Sequence, residues 1–199
     1  MRVAVTGNMG SGKSTFASML EERGGILVDA DALARRAVDE DIQVRRDLAA
    51  AFGPDLLSEN DHLDRRELAR RALADAAGRL QLEGIVRPRL EPILMKALTT
   101  AQAHGAIAVL DAALVFEWDI DHWFDRIFVV KADLNKATAR VVNSRSLSAA
   151  EVNERRAAQI KSHEYRGEVE SVDNNGSLAE LALKAEQVWM SLKSSVAKE

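Results

Sequence analysis

"GNMGSGKS", Gly7 to Ser14, matches the pattern G-x-x-x-x-G-K-[ST] at every required position. It follows the β-branched run "RVAVT" (2–6) and opens a helical pattern from Lys13 to Glu22, the strand–loop–helix context in which such a loop binds phosphate. Glycines let the backbone N–H groups curl around phosphate oxygens, and the helix N-terminus adds its positive end. Lys13 then reaches the β- and γ-phosphates, and Ser14 ligates Mg²⁺ through its hydroxyl. Asn8, Met9, Gly10, Ser11, Gly12, Lys13, Ser14 and Thr15 are therefore expected to line a site for ATP or GTP.

The rest of the chain suits that loop. "GILVDA" (25–30), "AIAVLDA" (106–112), "RIFVVKA" (126–132) and the weaker "VESVDNN" (169–175) read as further strands. Their apolar runs are nearly continuous, as in strands covered on both faces of a parallel sheet. Strand, helix, strand, several helices, then strand and helix again is the order of an α/β chain with a helical insertion. The insertion spans 32–104, where helical spacing such as Leu63, Leu68, Leu73 and Leu80, Leu82, Val86, Leu90 replaces any strand pattern. Pro88 and Pro92 are expected to interrupt or restart its helices. A second excursion runs from about 143 to 167. Ser148 with Glu151, and Ser177 with Glu180, have the spacing of capping boxes.

Composition narrows the class. The 199 residues are about one domain's worth, 47% hydrophobic and 29% charged, with a net charge of −4. No global positive field favours nucleic acid or an anionic membrane. With no cysteine, disulfides and thiolate chemistry are excluded. The N-terminus shows no signal architecture, and the longest apolar run, 106–116, is too short to span a bilayer. A soluble cytoplasmic protein is expected. Guanine recognition of the N-K-x-D type fails, because Asn135-Lys136 is followed by Ala137 and Thr138. "DNNG" (173–176) has the spelling of a GTPase switch but comes too late in the chain, and reads better as a turn before the last helix.

Two acids stand where the second strand ends. Asp29 and Asp31, in "VDADALARR" (28–36), are at the carboxyl end where ligands of doubly wound sheets bind. Asp31 is either the cap of a helix starting at Ala32 or the group that takes a proton from an attacking hydroxyl, and one carboxylate is able to do both. Asp111, ending the strand at 106–112, is either a Walker-B-like acid supporting Mg²⁺ or a helix cap. Arg45-Arg46 and Arg155-Arg156 read as solvated helix faces. The four histidines, His62, His104, His122 and His163, share no metal-ligand spacing.

Taken in order, "GNMGSGKS", "VDADALARR", "FG" (52–53), "LDRREL" (63–68), "LVFE" (114–117), Gln159 and "DNNG" resemble the dephospho-CoA kinase family over most of the chain. The resemblance implies a three-layer P-loop kinase fold with a parallel sheet, a helical acceptor-binding insertion and a helical lid. It divides the chain into a nucleotide-binding core (1–31, 105–142 and 168–199), a CoA-binding insertion (32–104) and a lid (143–167). It implies phosphorylation of the ribose 3′-hydroxyl of dephospho-CoA, with ATP and Mg²⁺, as the final step of CoA synthesis, by a monomer or small homo-oligomer. By position, Asp31 resembles the catalytic base, acting with Lys13. Asp29 resembles its support or, like Asp111, an outer Mg²⁺ group. Arg35 and Arg65 fall on the acceptor side, and Arg140 begins the lid and meets ATP phosphates. The chain departs from the family's usual spelling at Arg87-Pro88, Ala112-Ala113 and Ser144-Arg145. A kinase of another nucleotide or small metabolite, and a non-catalytic nucleotide-dependent binding protein, are the competing readings. The intact pair Lys13 and Asp31 opposes the second.

Overall fold

In the computed structural model, residues 1–145 and 169–196 are described, with side chains of 143–145 left aside. The chain divides into two compact units, Met1–Asp29 with Ala97–Glu199, and Ala30–Lys96. The first carries five parallel strands among its described residues: β1 (Arg2–Thr6), β2 (Ile26–Asp29), β3 (Ala108–Asp111), β4 (Arg126–Lys131) and β5 (Val169–Asp173). Their order across the sheet is β2-β3-β1-β4-β5, with β1 in the middle. Every pairing is parallel, as the continuous apolar runs require, because helices must cross over and cover both faces.

Helix α1 (Lys13–Glu21) returns from β1, and the C-terminal helix, labelled α7 here (Leu178–Val196), packs beside it. Val3 and Val5 of β1, Val109, Phe128 and Val130 meet Phe16 and Leu20 of α1 and Leu181, Ala185, Trp189 and Leu192 of α7 in one buried cluster. Phe16 and Phe128 pack as tilted rings with centroids 6.2 Å apart, a favoured aromatic geometry. The expected capping box opens α7: Ser177 Oγ accepts the Glu180 backbone N–H at 3.2 Å. In place of the box's reciprocal bond to the Ser177 N–H, Glu180 Oε1 accepts from Ser177 Oγ at 3.3 Å, so only the first arm of the box is formed.

The second unit is helical: α2 (Ala30–Glu40), α3 (Ile42–Phe52), α4 (Arg65–Ala72) and the first part of α5 (Ala76–Ala103). Val38, Val44, Leu48, Leu56, Leu68 and Ala72 form its core. Here "LDRREL" acquires a structural meaning. Leu63 bridges to Leu57, Asp64 caps α4 by accepting the Glu67 N–H at 2.9 Å, and Leu68 is buried. Glu67 in turn accepts from Arg70 and Arg71, and Arg71 also grips Asp55 across the turn before α4.

Four expectations need correction. Pro88 and Pro92 interrupt nothing, since α5 runs unbroken through both. A proline inside a helix costs about 3 kcal/mol, partly because its ring presses on the carbonyl four residues back. Burial of Leu90, Leu94 and Leu98 on one stripe favours keeping the helix whole. Leu80, read as part of an apolar face, is 67% exposed. Arg45 is not on a solvated face: its guanidinium closes the end of α2 by donating to the Val38 carbonyl at 3.1 Å and to that of Asp39. Finally, α2 starts at Ala30, so Asp31 lies inside its first turn and does not cap it. The second expected capping box (Ser148, Glu151), and with it Gln159, Arg155-Arg156, His163 and nearly all of 143–167, lie outside the described residues. No helix among the described residues is long and apolar enough to cross a membrane.

The hydrogen bonds from Arg70 and then Arg71 hold the Glu67 carboxyl down at about 2, from an ordinary value of 4.5. A carboxylate depressed on folding stabilises the fold fully above pH 4.5, and that contribution drains away as pH falls toward 2. In Glu67→Gln the melting temperature is expected to be lower at neutral pH and to fall less steeply between pH 4.5 and 2 than in the wild type, read from thermal melts across pH. Parallel curves for the two proteins would contradict this.

Candidate active site

At the C-terminal edge of the sheet, β1 leads into the loop 7–12. Parallel pairing sets Val5 opposite Asp111 of β3, and Asp111 opposite Asp29 of β2. Neighbouring strands stand about 4.8 Å apart, so both acids line the edge from which the loop departs. Lys13, the first residue of α1, places Nζ 3.6 Å from Asp111 Oδ1, with side chains 16% and 9% exposed. No helix follows Asp111, which removes the cap reading for that residue.

The loop closes on itself through the Ser11 N–H to the Asn8 carbonyl at 3.0 Å. It then enters α1 through Gly12, at φ 93°, ψ 19°, with no side chain capping the helix. An uncapped start leaves backbone donors at the positive end of the helix dipole. Three loop glycines are dictated by close approach, and a Cβ on Gly7 would stand 2.4 Å from the Val130 carbonyl oxygen. A Cβ on Gly10 would stand 2.3 Å from the carbonyl oxygen of Ala137, in α6 (Leu134–Arg145). One on Gly12 would stand 2.2 Å from Asn174 Nδ2 and 4.0 Å from Arg140 Nη1. Gly10 and Gly12 also have the left-handed φ that side chains disfavour.

Two polar atoms at this loop are buried without a hydrogen-bond partner, Ser11 Oγ and Arg140 Nη1. Buried donors of this kind normally find acceptors. With Lys13 and the uncapped helix start, the donor set fits a polyphosphate. Ser14 is exposed on the first turn of α1, and Asp111 stands beside Lys13, so both residue types that Mg²⁺ would take are present at this end of the sheet. They do not amount to a preformed metal cage: among the described residues no group of three or more acidic or histidine side chains converges. Mg²⁺ typically relies on one or two protein ligands plus phosphate oxygens.

Arg140 is drawn into the loop's surroundings, its Nη2 donating to the Asn174 carbonyl at 2.9 Å. Reading "DNNG" as a bland turn misses this. Asn174 is 7% exposed and its Nδ2 donates to the Ser11 carbonyl at 2.7 Å. Asn175 Oδ1 accepts the Asp133 N–H at 2.6 Å, and its own N–H and amide bind Asp173. Those contacts, the backbone N–H first, with Lys184 adding to them, hold the Asp173 carboxyl below the usual carboxylate range. The sequence marks this stretch through the family resemblance of "DNNG" and through paired asparagines between a strand and a helix cap, but neither signal assigns Asn174 a contact, and the asparagines spell a turn equally well.

The residues expected on the acceptor side fall in the second unit. Asp31 is exposed on the first turn of α2, where a negative charge suits the helix dipole. Arg35 is exposed, and its guanidinium makes no hydrogen bond or ion pair with the described residues. Arg65 is engaged: its Nη2 donates to the Arg35 carbonyl at 2.8 Å and to Asp39 Oδ1 at 2.7 Å. Arg87 pairs with Glu91 one turn along α5 at 2.6 Å.

A family model described as dephospho-CoA kinase matches residues 1–180. A dephospho-CoA kinase of Corynebacterium glutamicum is 33% identical, over 94% of this chain and 97% of that protein. One from Geobacter sulfurreducens is 35% identical, over 94% and 96%. Among solved structures, a Thermus thermophilus protein superposes with a TM-score of 0.76 at 34% identity, covering 94% of this chain and 96% of its own. A dephospho-CoA kinase from Campylobacter jejuni gives 0.70 at 19% identity over 98% of both chains, a likeness of fold.

The packing of Gly10 against α6 gives a direct test. Gly10→Ala combines a disfavoured φ with a backbone contact that must open, a cost of at least about 1–3 kcal/mol. A fall in melting temperature of roughly 2–10 °C is expected in a chain of this size, with weaker ADP·Mg²⁺ binding by calorimetry. An unchanged melt and affinity would show that the loop does not need its observed seat.

Proposed function

The chain belongs to the dephospho-CoA kinase family, and from that premise we propose how its residues carry ATP-dependent phosphorylation of dephospho-CoA to CoA. The observation that carries the reading is the uncapped start of α1, with Lys13 3.6 Å from Asp111, in a chain matched by the family over residues 1–180.

Residues 8–15 hold the triphosphate, with backbone N–H groups and Lys13 taking up its charge. Ser14 would hold Mg²⁺, with Asp111 and Asp29 supplying negative charge at the sheet edge, and the ion would contribute charge neutralisation at the transferring phosphate. Asp31 accepts the proton of the ribose 3′-hydroxyl while that oxygen forms its bond to the γ-phosphorus. The bond from that phosphorus to the bridging oxygen breaks, and ADP leaves with the electron pair. Arg35, whose guanidinium is unpaired among the described residues, binds the acceptor's phosphates in a planar, bidentate way. Arg65 acts through it, by holding the Arg35 carbonyl and Asp39. Arg140 contributes positive charge from behind Gly12. The cytoplasm is the proposed location.

Asp31→Asn keeps shape and removes basicity. It is expected to lower kcat by roughly 10²–10⁴-fold with little change in ATP affinity, in a coupled assay of ADP release. Near-normal turnover would reduce Asp31 to a helix-dipole residue. Lys13→Ala is expected to damage nucleotide binding and transfer together. The same assay, run with dephospho-CoA against nucleoside monophosphates and with ATP against GTP, decides the substrate: turnover of a nucleoside monophosphate in preference to dephospho-CoA would refute the assignment.

A further inference from the structure

We propose that Asn174 is a positioning residue for the phosphate loop, setting the direction of a backbone donor that it does not itself contain. The inference rests on the kinase reading above only in that the loop's ligand is the phosphate chain of a nucleotide.

The geometry has three parts. Asn174 is anchored by its backbone, its N–H donating to the Lys131 carbonyl at 2.7 Å and its own carbonyl accepting Arg140 Nη2 at 2.9 Å. Its buried side chain then reaches across to the Ser11 carbonyl at 2.7 Å. That carbonyl shares a peptide plane with the Gly12 N–H, and across a trans peptide the two point in opposite directions. Pulling the Ser11 oxygen toward Asn174 therefore turns the Gly12 N–H away from it, to the opposite side of the loop. Gly12 is held at φ 93°, ψ 19°, so its N–H leads into the uncapped donors of α1 as a concave run of the kind that binds anions.

A glycine peptide plane is the part of such a loop most free to rotate. A preset plane spares the bound state the cost of ordering it, and that difference appears as affinity for phosphate. The contact is also close enough to exclude other arrangements: a Cβ on Gly12 would lie 2.2 Å from the Asn174 amide nitrogen. One residue of the β5–α7 connection thus ties the end of β4, helix α6 and the phosphate loop together.

Asn174→Leu keeps nearly the same volume without the donor, and Asn174→Ala removes both. Each would be compared with the wild type by calorimetric titration with ADP·Mg²⁺ and with inorganic tripolyphosphate, alongside thermal melts and the KM for dephospho-CoA. Both variants are expected to bind ADP and tripolyphosphate roughly tenfold more weakly, by a common factor, the scale of leaving one buried carbonyl unpaired. The KM for dephospho-CoA stays unchanged. Wild-type affinity in Asn174→Leu would reduce the residue to a space filler and overturn the proposal. So would weakened ADP with unchanged tripolyphosphate, which would move its role to the nucleoside, or losses for every ligand in proportion to a lowered melting temperature. Binding is read without turnover. If the wild type fails to phosphorylate dephospho-CoA, the substrate reading falls while this comparison still stands.

Discussion

The constraint on which the nucleotide site depends is the close seat of the phosphate loop. Its backbone lies so near Ala137 and Asn174 that Gly10 and Gly12 have no room for a Cβ. That seat exists because β1 is the central strand, with β3 and β4 on either side, so the loop leaving β1 is enclosed by the ends of its neighbours. A loop held in this way presents its donors in a fixed array, and electrostatic stabilisation of a transferring phosphoryl group requires donors that need no reorganisation. Lys13 and Asp111 meet there because parallel register puts Asp111 level with Val5, just before the turn.

The second unit shows that a family's signature residues need not all face its substrate. "LDRREL" is largely architecture: a bridge residue, a helix cap, a buried leucine and a carboxylate shared by two arginines. Arg65 belongs to the same scaffold, through the Arg35 carbonyl and Asp39. Within "VDADALARR", by contrast, Asp31 and the Arg35 side chain stay exposed. Exposed ion pairs add little stability singly, but Arg71 joins Asp55 and Glu67 in one network across the turn that precedes α4.

Where reading the chain failed, the reason was a contact made only once the chain is folded, across one turn or across most of the sequence. Pro88 and Pro92 carry a strong local signal to break a helix, yet burial of Leu90, Leu94 and Leu98 outweighs it. Arg45 resembled any charged helical residue, and only the fold brings it to the last carbonyls of α2. Asn174 was hidden most completely. It lies 163 positions from Ser11, and its spelling is that of an ordinary turn.

The sequence by itself determined the parallel α/β class, the phosphate loop and its donor set, because continuous apolar runs and a strand–glycine loop–helix order are local patterns with local physics. It also separated the acids by position, Asp29 closing a strand and Asp31 opening a helix. Tertiary structure alone decided which groups complete the cradle. Asp111 reaches Lys13 through sheet register, and Asn174 reaches Ser11 across the top of the sheet. Register and crossover place residues by backbone pairing between distant strands, and no property of the individual residues encodes that placement.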